Sequence, residues 1–241
     1  MGWLGRMLLP LVLYDLAAAV WMRALPDGSS LMAQFLAAVS ALAVLTPAWF
    51  WQPGGRKRAP FAAGKAAAFA AAGVCGSLCA NSLVLLLDLR RYFGGYEAAA
   101  QQLFSPPLGL QVLAVGLVIP AAEEMIFRGY GYGSLRSRLG VWPAAMVSAL
   151  LFGLYHGNVL QGAYAFLLGL ALAWSLEQEG RLAAPWLIHA AANLTSVAGE
   201  YLAPGEPVSG PALLVLAAAG GAGMYGALKM VNNRNQKEVF Q

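Results

Sequence analysis

Apolar runs of about twenty residues recur along this chain, set apart by short charged or Gly/Pro-rich breaks. A bilayer core about 30 Å thick is crossed by about 20 mainly apolar residues wound as a helix. Each run must satisfy its own backbone hydrogen bonds in lipid, so the fold class expected is an all-α, polytopic membrane protein. Cutting the chain at its breaks gives eight candidate transmembrane helices: Trp3–Leu25, Leu31–Trp51, Gly64–Leu89, Pro107–Arg128 or beyond, Trp142–Gly157, Gln161–Leu176, Ala184–Leu202 and Pro211–Val231. The fifth and sixth share one apolar stretch, punctuated by Gly157, Asn158 and Gln161, so seven spans is the alternative count. A single transmembrane domain over residues 1–231 is expected, with a polar, frayed tail over 232–241.

Charge supports the same reading. Charged residues make up 11% of the 241, where a soluble domain carries about 25%. That excludes a disordered chain, a soluble two-domain enzyme and a nucleic-acid binder, and makes the lipid bilayer the surrounding partner. With the N-terminus in the cytoplasm, the inner loops collect Arg6, Arg56, Lys57, Arg58, Lys65, Arg128, Arg136, Arg138, Arg181, Lys229, Arg234 and Lys237. The outer side keeps Arg23, Arg90 and Arg91. This bias satisfies the positive-inside rule and predicts a multi-pass protein of the cell (inner) membrane with both termini cytoplasmic. A signal peptide is the other reading of Arg6, Leu8–Tyr14 and Ala17-Ala18-Ala19, but Asp15 interrupts its apolar core. Cys75 and Cys79 lie one helical turn apart and read as small buried side chains. The Ala-rich runs Ala66–Ala72 and Ala217–Ala222 read as close helix packing through small residues.

Ionisable side chains at membrane depth are costly and mark function. Three places stand out: Glu123-Glu124 followed by Arg128, then His156, then His189 with Asn193. On a helix Glu124 and Arg128 are four apart, share a face and can pair. Glu123 is turned away by about 100° and has Ile126 and Phe127 at the positions where an ion partner would stand. A carboxylate without such a partner suits a general base. If the helix turns at Leu139-Gly140, Glu123 lies sixteen residues before the turn and His156 sixteen after it. An antiparallel pair then sets both about 24 Å from the turn, with room for a water between them. His189 and Asn193, four apart, can both donate hydrogen bonds toward an oxyanion. His189 is only about nine residues from the turn near Gly180, so tilt or an uneven loop has to make up the depth.

Glu-Glu-x-x-x-Arg, Phe-x-x-x-His and His-x-x-x-Asn, in that order on successive apolar segments, resemble the CAAX protease and bacteriocin-processing (CPBP/Abi) family, which includes type II CAAX prenyl endopeptidases. The resemblance covers a motif core of residues 107–196. It implies a helical bundle of the prenyl-endopeptidase kind and an intramembrane glutamate-dependent endopeptidase. In that reading Glu123 and His156 activate water, His189 and Asn193 stabilise the oxyanion, and Glu124 and Arg128 support them. It implies a membrane-associated or lipidated protein or peptide as substrate. No cofactor is expected. Glu123, His156 and His189 could serve as three zinc ligands, but no His-Glu-x-x-His motif is present and Asn193 is a poor ligand. Two other readings stand beside it: a non-catalytic immunity or assembly factor that keeps the fold, and a proton or cation carrier using the same groups as a relay.

Overall fold

Among the apolar runs, the one bearing the two glutamates and Arg128 has the most polar surface to hide, and it is the helix the others surround. The computed structural model describes residues 2–27, 29–50, 61–93, 95–202 and 208–239. Every regular element among them is helical: α1 (Trp3–Ala24), α2 (Ser30–Phe50), α3 (Ala63–Leu86), the short α4 (Tyr96–Phe104), α5 (Leu108–Leu139), α6 (Val141–Tyr155), α7 (Val159–Glu179), α8 (Ala183–Leu202) and α9 (Gly210–Val239), with a single helical turn, Leu89–Tyr92, between α3 and α4. Among the described residues six helices are long and apolar enough to cross a membrane: α1, α2, α3, α5, α7 and α9; α6 is apolar but shorter. α8 has the length and carries the polar residues His189, Asn193, Thr195 and Ser196. The protein is a multi-pass membrane protein, and among the described residues eight longer helices correspond to the eight runs.

The split between α6 and α7 shows why the shared apolar stretch is two helices. Gly157 turns the chain at φ +73°, and the Asn158 side chain caps α7 by accepting from Gln161 N at 2.8 Å, as Asn does at helix starts. α7 runs on to Glu179, past the expected end at Leu176. α3 stops at Leu86, three residues early, where Asp88 turns into the left-handed region. α4 was not expected as a helix, although Tyr96, Ala99, Ala100 and Leu103 have helical spacing. α9 remains helical through Val239, beyond the Asn232 where the tail was expected to fray. Trp51, the cluster Arg56, Lys57 and Arg58, and the last two residues of the tail lie outside the described residues, as do the side chains of Arg234 and Lys237.

α5 is the most deeply buried span and touches α1, α2, α6, α7 and α8. α3 packs on α8 and α9 at the far side. Small residues let those helices meet: a Cβ at Gly220 would fall 2.6 Å from Cys75 O, and one at Gly223 2.7 Å from Cys75 Sγ. Cys75 and Cys79 are free thiols and half-buried against these glycines, rather than fully buried. Of the basic residues read as sharing one side, Arg128 is buried inside the bundle, while three others meet residues near helix ends. Arg138 lies over Trp3, Arg181 over Phe61, and Lys65 pairs with Glu179 at 3.3 Å.

The approach of α3 to α8 fixes the height of His189. A Cβ at Gly73 would lie 2.2 Å from Ile188 O and 2.9 Å from Ala191 Cβ. Backbone cannot yield as a flexible side chain does, so Gly73→Ala is expected to push α8 off α3 and destabilise by about 1–3 kcal/mol. Thermal unfolding in detergent checks this against Gly199→Ala, whose Cβ would meet open space.

Candidate active site

Glu123 is fifteen residues from the start of α5 and sixteen from its end, so it sits at mid-helix. α5 is not uniformly α-helical. It is π-wound over Val112–Val118 and Glu124–Tyr132, with an α-helical turn, Ile119–Glu123, between. Such π segments are uncommon and concentrate at functional sites. In the π register the carbonyl of residue i accepts from the N–H of i+5, as Ala114 O does from Ile119. The next carbonyl, Val115 O, would look to residue 120, which is a proline without an N–H. Asn193 Nδ2 takes that place from α8 at 2.9 Å.

Glu124 and Arg128 pair as the spacing predicts, Nε to Oε2 at 3.3 Å, both inside the bundle. The guanidinium lies over the Phe152 ring, with Cζ 4.2 Å from the ring centroid, a contact favourable to a desolvated cation. Space for it comes from Gly169 on α7, where a Cβ would fall 2.9 Å from Arg128 Nη2. Phe152 is the hub of the site. Besides Arg128 its ring touches Phe127 (5.2 Å between centroids), His156 (4.8 Å) and His189 (5.5 Å). Phe127 and Phe152 are each twelve residues from the Leu139-Gly140 turn, and Gly140 makes that turn at φ +80°. Their contact shows the hairpin register expected from sequence and sets Glu123 and His156 at similar depth.

His189 occupies the centre. Its Nδ1 is 2.8 Å from Glu124 Oε1, and its Nε2 is 3.6 Å from Glu123 Oε2. The depth deficit of His189 is made up by an uneven loop. Leu182, at the head of α8, lies beside Gly129, where a Cβ would be 3.4 Å from Leu182 Cδ1. α5 therefore projects ten residues past the α7–α8 turn. Arg136 on that projection holds Glu177 of α7 at 2.7 Å, and Tyr132 donates to the same oxygen at 2.5 Å.

The structure thus brings together Glu123, Glu124, Arg128 and His189. The imidazole within ion-pair reach of Glu123 is that of His189, not His156 as the hairpin alone suggests. His156 caps the C-terminal end of α6, half-buried, and its Nδ1 is 2.8 Å from Phe152 O of that helix. A carbonyl can only accept, so Nδ1 carries the proton and Nε2 of the neutral ring is a free acceptor. Asn193 and His189 share α8, but one Asn193 N–H is engaged by Val115 O, so the pair does not aim at one point with all its donors. Among the described residues no group of three or more His, Cys, Asp or Glu side chains is placed to hold a metal ion. The two glutamates differ in access: the Glu124 side chain is 1% exposed and that of Glu123 is 11%. Sequence reading gave Phe152 no role and did not single out Gly169. Phe152 stands four residues before His156, the helical spacing that puts both on one face.

Residues 105–195 match the family model "Type II CAAX prenyl endopeptidase Rce1-like". Over 89 residues the chain is 34% identical to an uncharacterized 24.3 kDa protein of Escherichia coli, covering 35% of this chain and 41% of that one. Over 89 residues it is 26% identical to the UPF0177 protein YxdF of Lactococcus lactis subsp. lactis (strain IL1403), covering 36% and 49%. The chain spans less than half the length of these curated relatives. No solved structure matches. The segment that holds Glu123, Glu124, Arg128, His156, His189 and Asn193 is thus similar to the type II CAAX prenyl endopeptidase Rce1-like family, the one its motifs resemble.

Proposed function

We propose that the protein is an intramembrane endopeptidase in which Glu123 is the general base for water. One observation carries this: a buried imidazole, His189, lies against two adjacent carboxylates at mid-membrane, and Glu123 alone of the two keeps an open side. Glu124 is held between Arg128 and His189, which leaves it a supporting role. Glu123 takes a proton from a water that attacks the scissile carbonyl carbon, and the carbonyl oxygen becomes the oxyanion. His156, with Nε2 free to accept, faces the same depth and can orient that water. His189 donates Nδ1–H to Glu124, so its Nε2 can donate to an oxyanion only when the ring is an imidazolium. Asn193 contributes its second N–H. The proton on Glu123 then passes to the leaving amine.

The family resemblance directs the substrate choice to a membrane-associated or lipidated protein or peptide, cleaved near its membrane end. The experiment uses purified protein in nanodiscs with a farnesylated CAAX peptide and with a non-lipidated single-span peptide. Hydrolysis is read by mass spectrometry as one ¹⁸O from labelled water in the new carboxylate. Cleavage of either peptide supports the reading and shows whether a prenyl group is required. No cleavage of either, with a cellular phenotype that persists when Glu123 is Gln, would favour the immunity or assembly factor.

A further inference from the structure

A carboxylate that faces outward at mid-span is among the costliest placements in a membrane bundle, and Asp15 is one. It lies twelve residues after Trp3 and nine before Ala24, the two ends of α1, and it is exposed. Tyr155, the last residue of α6, donates its hydroxyl to Asp15 Oδ1 at 2.7 Å. Tyr14 stands edge-on to the Tyr155 ring, with 6.4 Å between centroids. α1 and α6 both lean on α5 but do not pack along each other, so these three side chains bridge a seam.

Behind the seam is the site. Tyr155 adjoins His156, and its ring is 5.5 Å from that of Phe127, which stands four residues after Glu123 on α5. Tyr155 therefore links the exposed Asp15 to the part of α5 that carries Glu123 and Phe127. An ionised carboxylate accepts about four hydrogen bonds, and Tyr155 supplies one. Among the described residues no Lys or Arg pairs with Asp15. A cationic side chain carried through lipid on another chain faces the same desolvation cost, and pairing relieves both.

We propose that Asp15 and Tyr155 form the threshold through which a membrane-embedded peptide reaches Glu123, and that Asp15 binds a basic side chain of that peptide beside the bond to be cut. Resting on the endopeptidase reading, the proposal adds the chemistry of the substrate: a Lys or Arg at membrane depth, close to the scissile bond. Tyr155 is a positioning residue that fixes the carboxylate.

The test separates binding from turnover. Glu123→Gln protein in nanodiscs is titrated with a fluorescent Leu/Ala single-span peptide carrying one mid-span Lys. The same peptide with norleucine or Glu at that place is the comparison. The Lys peptide is expected to bind at least about tenfold tighter, to lose that margin in Asp15→Asn, and to yield to the Glu peptide in Asp15→Lys. Because Asp15 is exposed, these variants should keep the elution volume and unfolding temperature of the parent, which is checked first. Equal binding of the three peptides, no binding, or a Lys preference that survives Asp15→Asn overturns the proposal. The three peptides are then given to the wild-type protein. Lys-selective binding without cleavage would remove the endopeptidase reading and leave the Asp15 site standing; cleavage without Lys selectivity would do the reverse.

Discussion

Replacing Glu123 by Gln is expected to lower the cleavage rate by about 10²–10⁴, the range a positioned general base supplies. Glutamine keeps the shape and can still meet His189 Nε2, 3.6 Å away in the native chain, but it cannot take a proton from water. Folding should be little disturbed, because the Glu123 side chain is the more open of the two and Arg128 is paired through Glu124. Initial rates with the peptide cleaved best, alongside unfolding temperature, check both parts. Full activity in Glu123→Gln would remove this residue as the base. It would turn attention to His156, whose Nε2 is the other free acceptor at that depth.

Removal of Arg128 should have the larger effect on the fold. Its guanidinium is fully buried and is neutralised by Glu124 through a 3.3 Å ion pair, with Phe152 beneath it. Taking away one partner of a buried pair leaves an unmatched charge, which costs about 3–5 kcal/mol. Arg128→Leu is therefore expected to lose most of its folded yield at moderate temperature. Arg128→Lys keeps the charge but not the planar guanidinium that stands over Phe152, and should fall between. The informative variant is the double one, Glu124→Leu with Arg128→Leu, which removes both charges at once. Its stability should recover most of what Arg128→Leu lost, while activity stays lost because His189 no longer has a carboxylate at Nδ1. Denaturation in bicelles reads the first quantity and peptide cleavage the second. A double variant no more stable than Arg128→Leu would mean that the pair's charge balance is not what its burial demands.

How far the sequence carried can be judged from particular residues. The hairpin of α5 and α6 was legible because it depends on counting alone. Equal distances from the Leu139-Gly140 turn put Phe127 against Phe152, as found. The Glu124–Arg128 pair was legible for the same reason, since i and i+4 meet on a helix face. The partner of Glu123 was not. It depends on where the α7–α8 turn sits against α5, and that is set by Gly73 on α3 and Gly129 on α5, residues far apart in the chain. The π-wound turns were hidden as well. Their apolar sequence has no period that distinguishes them from an ordinary helix, and the one clue, Pro120, reads equally as a kink. Asp15 was legible as an interruption, but its meeting with Tyr155 spans 140 residues. No local pattern encodes that.

Pro120 ties the completion of α5 to the arrival of α8. The Val115 carbonyl has no backbone donor at the i+5 place, and its partner Asn193 is made 78 residues later. At a synthesis rate of about 5–20 residues per second, that is a wait of roughly 4–16 s. Over that interval α5 enters the bilayer with one carbonyl open and with Glu124 not yet joined to His189. Biogenesis therefore has a late checkpoint: a chain stalled or cut before α8 holds the glutamates without the helix that organises them. The polar core stays inert while it is being built and becomes competent only as the last of its three helices docks.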